Sequence, residues 1–204
     1  MKTVVDRFLR YVQVDTESVP EADCFPSSEK QKNLAAILVE DARMDSYGYV
    51  YATVPPTTDK ALPVIGLIAH MDTSSAVSGK DIKPRIVENY DGSDILLNEA
   101  QNIVLKTEDY PEILDYKGQD IIVTDGTTLL GADDKAGVAE IMTLCDHLMH
   151  NPVTHGTIKI AFTPDEEVGR GVNYFDVEGF GAAFAYTVDG GALGEPEYES
   201  FNAA

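Results

Sequence analysis

The sequence predicts an α/β protein with a mostly parallel central sheet flanked by helices. Three observations predict it. Uniformly apolar runs at 63–69 (PVIGLIA) and 157–163 (TIKIAFT) suit strands covered on both faces. A strong helical stripe at 134–149 lies between them, and a further apolar run (AAFAYTV) fills 182–188. Strand, helix and strand in alternation imply right-handed crossovers, and hence parallel neighbours.

The elements follow in order. Val4, Val5, Phe8, Leu9 and Val12 recur at helical spacing, so residues 2–13 read as an amphipathic helix laid on a larger body. After a loop with Pro20 and Pro26, Ser28 with Gln31 three residues on resembles a capping box, and Leu34, Ile37, Leu38 and Ala42 form the buried stripe of a helix over 29–43. Residues 47–54 and 63–69 read as strands, the second a central one. From 74 to about 118 the pattern breaks into polar and Pro-containing pieces with short apolar runs at 86–87, 95–97 and 103–105, an elaborated excursion. Residues 120–124 read as a strand and Gly131 as a turn. Ala136, Ala139, Ile141, Met142, Cys145, Leu148 and Met149 then form the stripe of the long helix. The runs at 157–163 and 182–188 read as two more buried strands. The chain stops at 197–204 (EYESFNAA) with no element to close the sheet, which is the expected look of a truncation.

Bulk properties narrow the function classes. At 204 residues and 44% hydrophobic composition the chain can bury a real core. Fifteen Lys and Arg against 35 Asp and Glu leave a net charge of −20, which argues against nucleic acid, since phosphate backbones are bound through Lys and Arg. Asp6 and Arg10 interrupt the apolar pattern a signal peptide would need, and no stretch approaches the roughly 18 apolar residues of a membrane span. Cys24 and Cys145 form neither a disulfide framework nor a C-x-x-C knuckle, so a reducing cytoplasm is the expected compartment.

The chemistry sits at strand ends. His70-Met71-Asp72, Asp133-Asp134 and Asp165-Glu166-Glu167 each come just after an apolar run, where open α/β sheets place their sites. Alternation puts His70 and Asp72 on one side of an extended chain, so Asp72 can accept one ring N–H and aim the other nitrogen at a metal. A lone His after a strand is more often structural, so the pattern needs its context. Asp133 and Asp134 suit an N-cap, or a carboxylate bridge between two cations. In Asp165-Glu166-Glu167, one Glu can ligate a metal while its neighbour holds the attacking water as general base, and the residues alone leave open which does which. Asp189, before two glycines, suits a turn or a further ligand. His147, His150 and His155 lie at or beyond a helix C-terminus, where imidazoles favour the dipole and meet solvent.

Four motifs, AHMDTS at 69–74, TDGTTLLGADDKAGVAEIMT at 124–143, AFTPDEEVGRG at 161–171 and YTVDGG at 186–191, closely resemble the peptidase T family of tripeptide aminopeptidases, within the larger group of two-zinc exopeptidases and deacylases. The resemblance runs over essentially the whole chain. It implies a zinc-exopeptidase-like catalytic domain with His70 and Asp189 as ligands of one zinc, Asp133 as bridge and Glu167 as ligand of the other. It further implies Asp72 as the support of His70, Glu166 as catalytic base and a cis peptide between Asp133 and Asp134. Family members are about twice as long, with a lid domain and a returning segment that carries one more His ligand. Residues 1–204 are therefore expected to be an incomplete catalytic domain.

The expectation is a cytoplasmic metal-dependent aminopeptidase releasing the N-terminal residue of tripeptides, inactive or weak as this fragment alone. Zinc is the expected metal, two per complete site, with manganese or cobalt as substitutes. The expected partners are short peptides with a free N-terminus and a second copy of the chain at the exposed sheet edge, with no nucleic acid or membrane. Two alternatives stay open: a non-catalytic metal-binding or assembly domain of the same fold, and a related dipeptidase or deacylase.

Overall fold

The computed structural model describes residues 2–38 and 42–191. The expectations placed on 39–41 and 192–204 lie outside the described residues. The first helix, α1 (Val4–Val12), starts where expected. Its N-cap is Thr3, whose hydroxyl accepts from Asp6 N at 3.1 Å while Thr3 N donates to the Asp6 carboxylate at 2.9 Å.

The second helix corrects its sequence reading. It is described as α2 (Gln31–Leu38), and Arg43, the last residue of the expected helix, belongs with Met44 to strand β1 instead. Ser28 does not form a capping box with Gln31. The Ser28 hydroxyl donates to Glu17 O at 2.7 Å, and the Gln31 side chain turns inward to Asp165. A charged, buried acceptor binds an amide more strongly than a solvated helix end does. β1 pairs with β2 (Val50–Val54) across a turn in which the Asp45 carboxylate accepts from Tyr47 N and Tyr49 N, so residues 47–49 are turn rather than strand.

The excursion folds on itself. β4 (Arg85–Val87) pairs antiparallel with β7 (Ile121–Val123), and β5 (Ile95–Asn98) with β6 (Ile103–Leu105), around a small core of Tyr90, Ile95 and Val123. The strand expected at 120–124 thus serves this small sheet and not the central one.

The central sheet is completed by β3 (Ile65–His70), β8 (Ile158–Thr163) and β9 (Phe184–Thr187), in the order β1-β2-β8-β3-β9. The α/β class holds, with a mixed sheet: β3, β8 and β9 run parallel, and β2 runs antiparallel to β8. The crossover from β3 to β8 includes α3 (Ala132–His150), and that from β8 to β9 includes the short α4 (Val177–Phe180). Apolar residues of α1, α2 and α3 pack with Val50, Val54, Ile158, Ile160 and Phe162 in one core. The opposite face carries an aromatic ladder in which Tyr49 and Tyr51 of the β2 region meet Phe175, and Tyr51 and Phe175 meet Phe180.

β9 departs from its reading as a buried strand. All four of its residues are exposed, Phe184 to 46% and Tyr186 to 59%, because it is the edge of the sheet among the described residues. No helix among the described residues is long and apolar enough to cross a membrane.

Candidate metal centre

Strand register brings the site together. β3 and β8 are matched over six residues from Ile65↔Ile158 to His70↔Thr163, so both end at one edge of the sheet. β9 runs beside β3 as far as Ile68↔Thr187, and Val188 N then donates to Ile68 O at 2.8 Å, which leaves Asp189 next to His70. The start of α3 lies against the same edge. A Cβ on Gly137 would collide with the Val188 carbonyl, so only glycine lets helix and strand end approach this closely.

His70 is buried, and its two ring nitrogens face different surroundings. Nδ1 lies 3.1 Å from Asp72 O and 3.4 Å from the Asp72 carboxylate, and Nε2 lies 2.8 Å from Asp133 Oδ1. Glu166 and Asp189 carboxylate oxygens come within 3.8 and 3.9 Å of Nε2. His70, Asp133 and Asp189 each offer one ligand atom, all within 4.8 Å of one another. A nitrogen and two carboxylates, with the far side of the imidazole held by the Asp72 carbonyl and faced by its buried carboxylate, is a donor set that fits zinc, manganese or cobalt. Glu167 lies outside that tight trio. Burial and the neighbouring charge of Asp133 push its carboxyl up from the usual range.

The two aspartates at the helix start part company. Their peptide bond is cis, and neither has helical φ/ψ. Asp133 is largely exposed beside His70, whereas Asp134 is buried and accepts from His70 N at 3.0 Å and Gly137 N at 3.1 Å. The capping role weighed for the pair thus falls to Asp134 alone. Burial pushes the Asp134 carboxyl up to about 8, against the pull of His70. Burial opposes charge on His70 as well, but Asp72, Asp134 and Asp133 outweigh it and hold its pKa up at about 10.

Asp72 is fully buried and links two parts of the site. Besides facing His70, its carboxylate accepts from Glu166 N at 3.0 Å and Glu167 N at 3.2 Å. Asp165, the first of the three acids after β8, faces away into a buried cluster with Ser27, Gln31 and Arg170. The sequence reading missed this cluster, and its only sequence signal was a polar Gln31 beside the apolar stripe of α2. The other imidazoles stay apart, with His147, His150 and His155 hydrogen-bonded locally at the far end of α3 and beyond it.

Comparison with known proteins extends the resemblance over the whole chain. The chain is 59% identical over 213 aligned positions to peptidase T of Clostridium novyi, covering 100% of this chain and 52% of that protein. It thus spans about half the length of the curated relatives it matches. Among solved structures, the aminopeptidase PepT of Bacillus cereus superposes with a TM-score of 0.62 at 29% identity, over 92% of this chain and 43% of that one. A tripeptidase of Staphylococcus aureus superposes at 0.60 with 25% identity, over 93% and 43% of the two chains. No protein-family profile matches the chain.

Proposed function

We propose that this chain carries part of the catalytic centre of a metal-dependent aminopeptidase of the peptidase T type, acting on tripeptides with a free N-terminus. The observation that carries this reading is the convergence of His70 Nε2, Asp133 and Asp189 within 4.8 Å, with Nδ1 of His70 held from behind by Asp72. Likeness to peptidase T at 59% identity supports the choice of reaction.

In this reading His70, Asp189, Asp133 and Glu167 are the residues that would hold zinc, two ions in the complete site. When bound, the metal supplies Lewis acidity, polarising the peptide carbonyl and lowering the pKa of the attacking water. Glu166, exposed and 3.8 Å from His70 Nε2, would serve as general base, taking a proton from the attacking water and returning it to the leaving amine. The Asp72 main-chain carbonyl fixes the imidazole tautomer by accepting the Nδ1 proton, and the Asp72 carboxylate, 3.4 Å from the same nitrogen, seats the Glu166 and Glu167 backbone. A cytoplasmic location is part of the proposal, supported by two free cysteines, one of them exposed. So is association with a second copy along the exposed edge strand β9.

The test is tripeptide hydrolysis with added zinc, manganese or cobalt, by the 204-residue chain alone and joined to the remaining half of a relative. Metal-dependent release of the N-terminal residue by the joined protein, abolished in Glu166→Gln, is the expected result. Cleavage of acylated amino acids in preference to tripeptides would make the chain a deacylase instead. Metal binding without either activity would leave it a non-catalytic domain.

A further inference from the structure

The turn after β8 has a second side, facing away from His70. Asp165 is fully buried there, with a φ of 58°. Its carboxylate accepts from Ser27 N at 2.7 Å, from Ser27 Oγ, from Gln31 Nε2 at 2.7 Å and from Arg170 Nη2 at 2.9 Å. Its own N–H donates to Gln31 Oε1 at 3.0 Å. Arg170 also donates to the carbonyls of Ala22 and Cys24, at 2.9 and 3.0 Å, and stacks its guanidinium over Phe25 at 5.7 Å.

An ion pair whose carboxylate is fully buried is a costly way to hold a loop, since well-packed apolar groups of the same volume are often as stable. The backbone beside it shows what the cluster fixes. Glu166 O accepts from Gly169 N at 2.7 Å, and Asp165 O from Arg170 N at 2.9 Å, closing a tight turn. On the opposite side Glu166 N and Glu167 N donate to Asp72. The two glutamates are therefore gripped from the front by Asp72 and from behind by Asp165. The left-handed backbone at Asp165 sends its carboxylate inward while Glu166 reaches towards His70.

We propose that Asp165, with Arg170, Ser27 and Gln31, is a positioning unit that sets where Glu166 and Glu167 stand. Its consequence for metal binding and catalysis rests on the function proposed above, whereas its effect on the turn does not. Asp165 is not itself catalytic, because all its hydrogen bonds are made on the buried side. Ser27 follows the cis bond Phe25–Pro26 and Gln31 opens α2, so the unit couples α2 and the loop before it to the site.

Two variants test it. Asp165→Asn sets an amide N–H₂ against a ring of donors, and Ser27→Ala removes one donor and one acceptor with less risk to folding. The first readout needs no metal: amide hydrogen exchange at Glu166 and Glu167. About tenfold faster exchange at these two amides is expected, larger in Asp165→Asn, with Ile160 and Phe162 of β8 unchanged. The second is cobalt binding by the folded variants, where about 10- to 100-fold weaker affinity and altered visible bands are expected. Unchanged exchange at Glu166 and Glu167 in a folded variant overturns the proposal. Equal loss of protection along all of β8 also overturns it, because that marks a general structural role. A wild-type chain that binds no cobalt sinks the metal reading alone, and the exchange data still decide the positioning.

Discussion

Asp72 touches three groups at once: the His70 ring and the backbone amides of Glu166 and Glu167. Asp72→Ala would leave both amides without their acceptor, at a cost of about 1–3 kcal/mol, and would take away the negative charge 3.4 Å from His70 Nδ1, while the hydrogen bond of Nδ1 to the main-chain carbonyl of residue 72 stays. Chemical denaturation should show that loss, and chelator competition should show metal affinity down about 10- to 100-fold. Unaltered affinity in Asp72→Ala would remove the residue from its supporting role. A second residue-scale outcome concerns Cys145, whose thiol burial pushes up to about 11. An exposed thiol ionises near 8.5, so the unfolded chain releases this proton first and stability falls as the pH rises between the two values. Cys145→Ala should flatten that part of the stability curve relative to wild type. At pH 8 a thiol reagent should label one cysteine per folded chain, the exposed Cys24, and two after unfolding.

At the scale of elements, the site depends on how closely α3 approaches the end of β9. Gly137 has no room for a Cβ because the Val188 carbonyl lies over it, and its N–H is held by Asp134. Gly137→Ala would therefore push Val188 and Asp189 away from His70, although alanine is the better helix former by about 1 kcal/mol. Weaker metal binding together with lower thermal stability is expected. A more stable variant with wild-type affinity would show that the contact yields without moving Asp189. A tertiary partner likewise explains why α2 lacks the capping box expected of it. Ser28 and Gln31 have the right spacing for a cap, yet Gln31 is spent on Asp165, a partner more than a hundred residues away in sequence that no local pattern announces.

For the molecule as a whole, a net charge of −20 on 204 residues sets compactness against self-repulsion. Some of that charge collects at one sheet edge, where Asp133, Glu166 and Asp189 surround a single imidazole. Raising sodium chloride from about 0.01 to 0.2 M shortens the screening length from roughly 30 Å to under 10 Å. The melting temperature of the metal-free chain should then rise by a few degrees, each kcal/mol being about 2–4 °C at this size. A melting temperature that falls with salt would mean that attractive pairs outweigh the repulsion.

The sequence by itself determined the α/β class, the position of α1, α3, β3 and β8, and the placing of His70, the Asp133-Asp134 and Glu166-Glu167 pairs and Asp189 at strand ends. Each of these rests on local periodicity or on a short motif at a strand end, and both are written in neighbouring residues. Tertiary structure alone decided that β7 leaves the central sheet, that β9 is an exposed edge, that Asp133 and Asp134 face different surroundings, and that Asp165 turns inward to Ser27, Gln31 and Arg170. Those outcomes depend on which distant groups meet. A buried carboxylate is placed by the donors around it, and its donors here come from α2, the loop before it and the turn after β8.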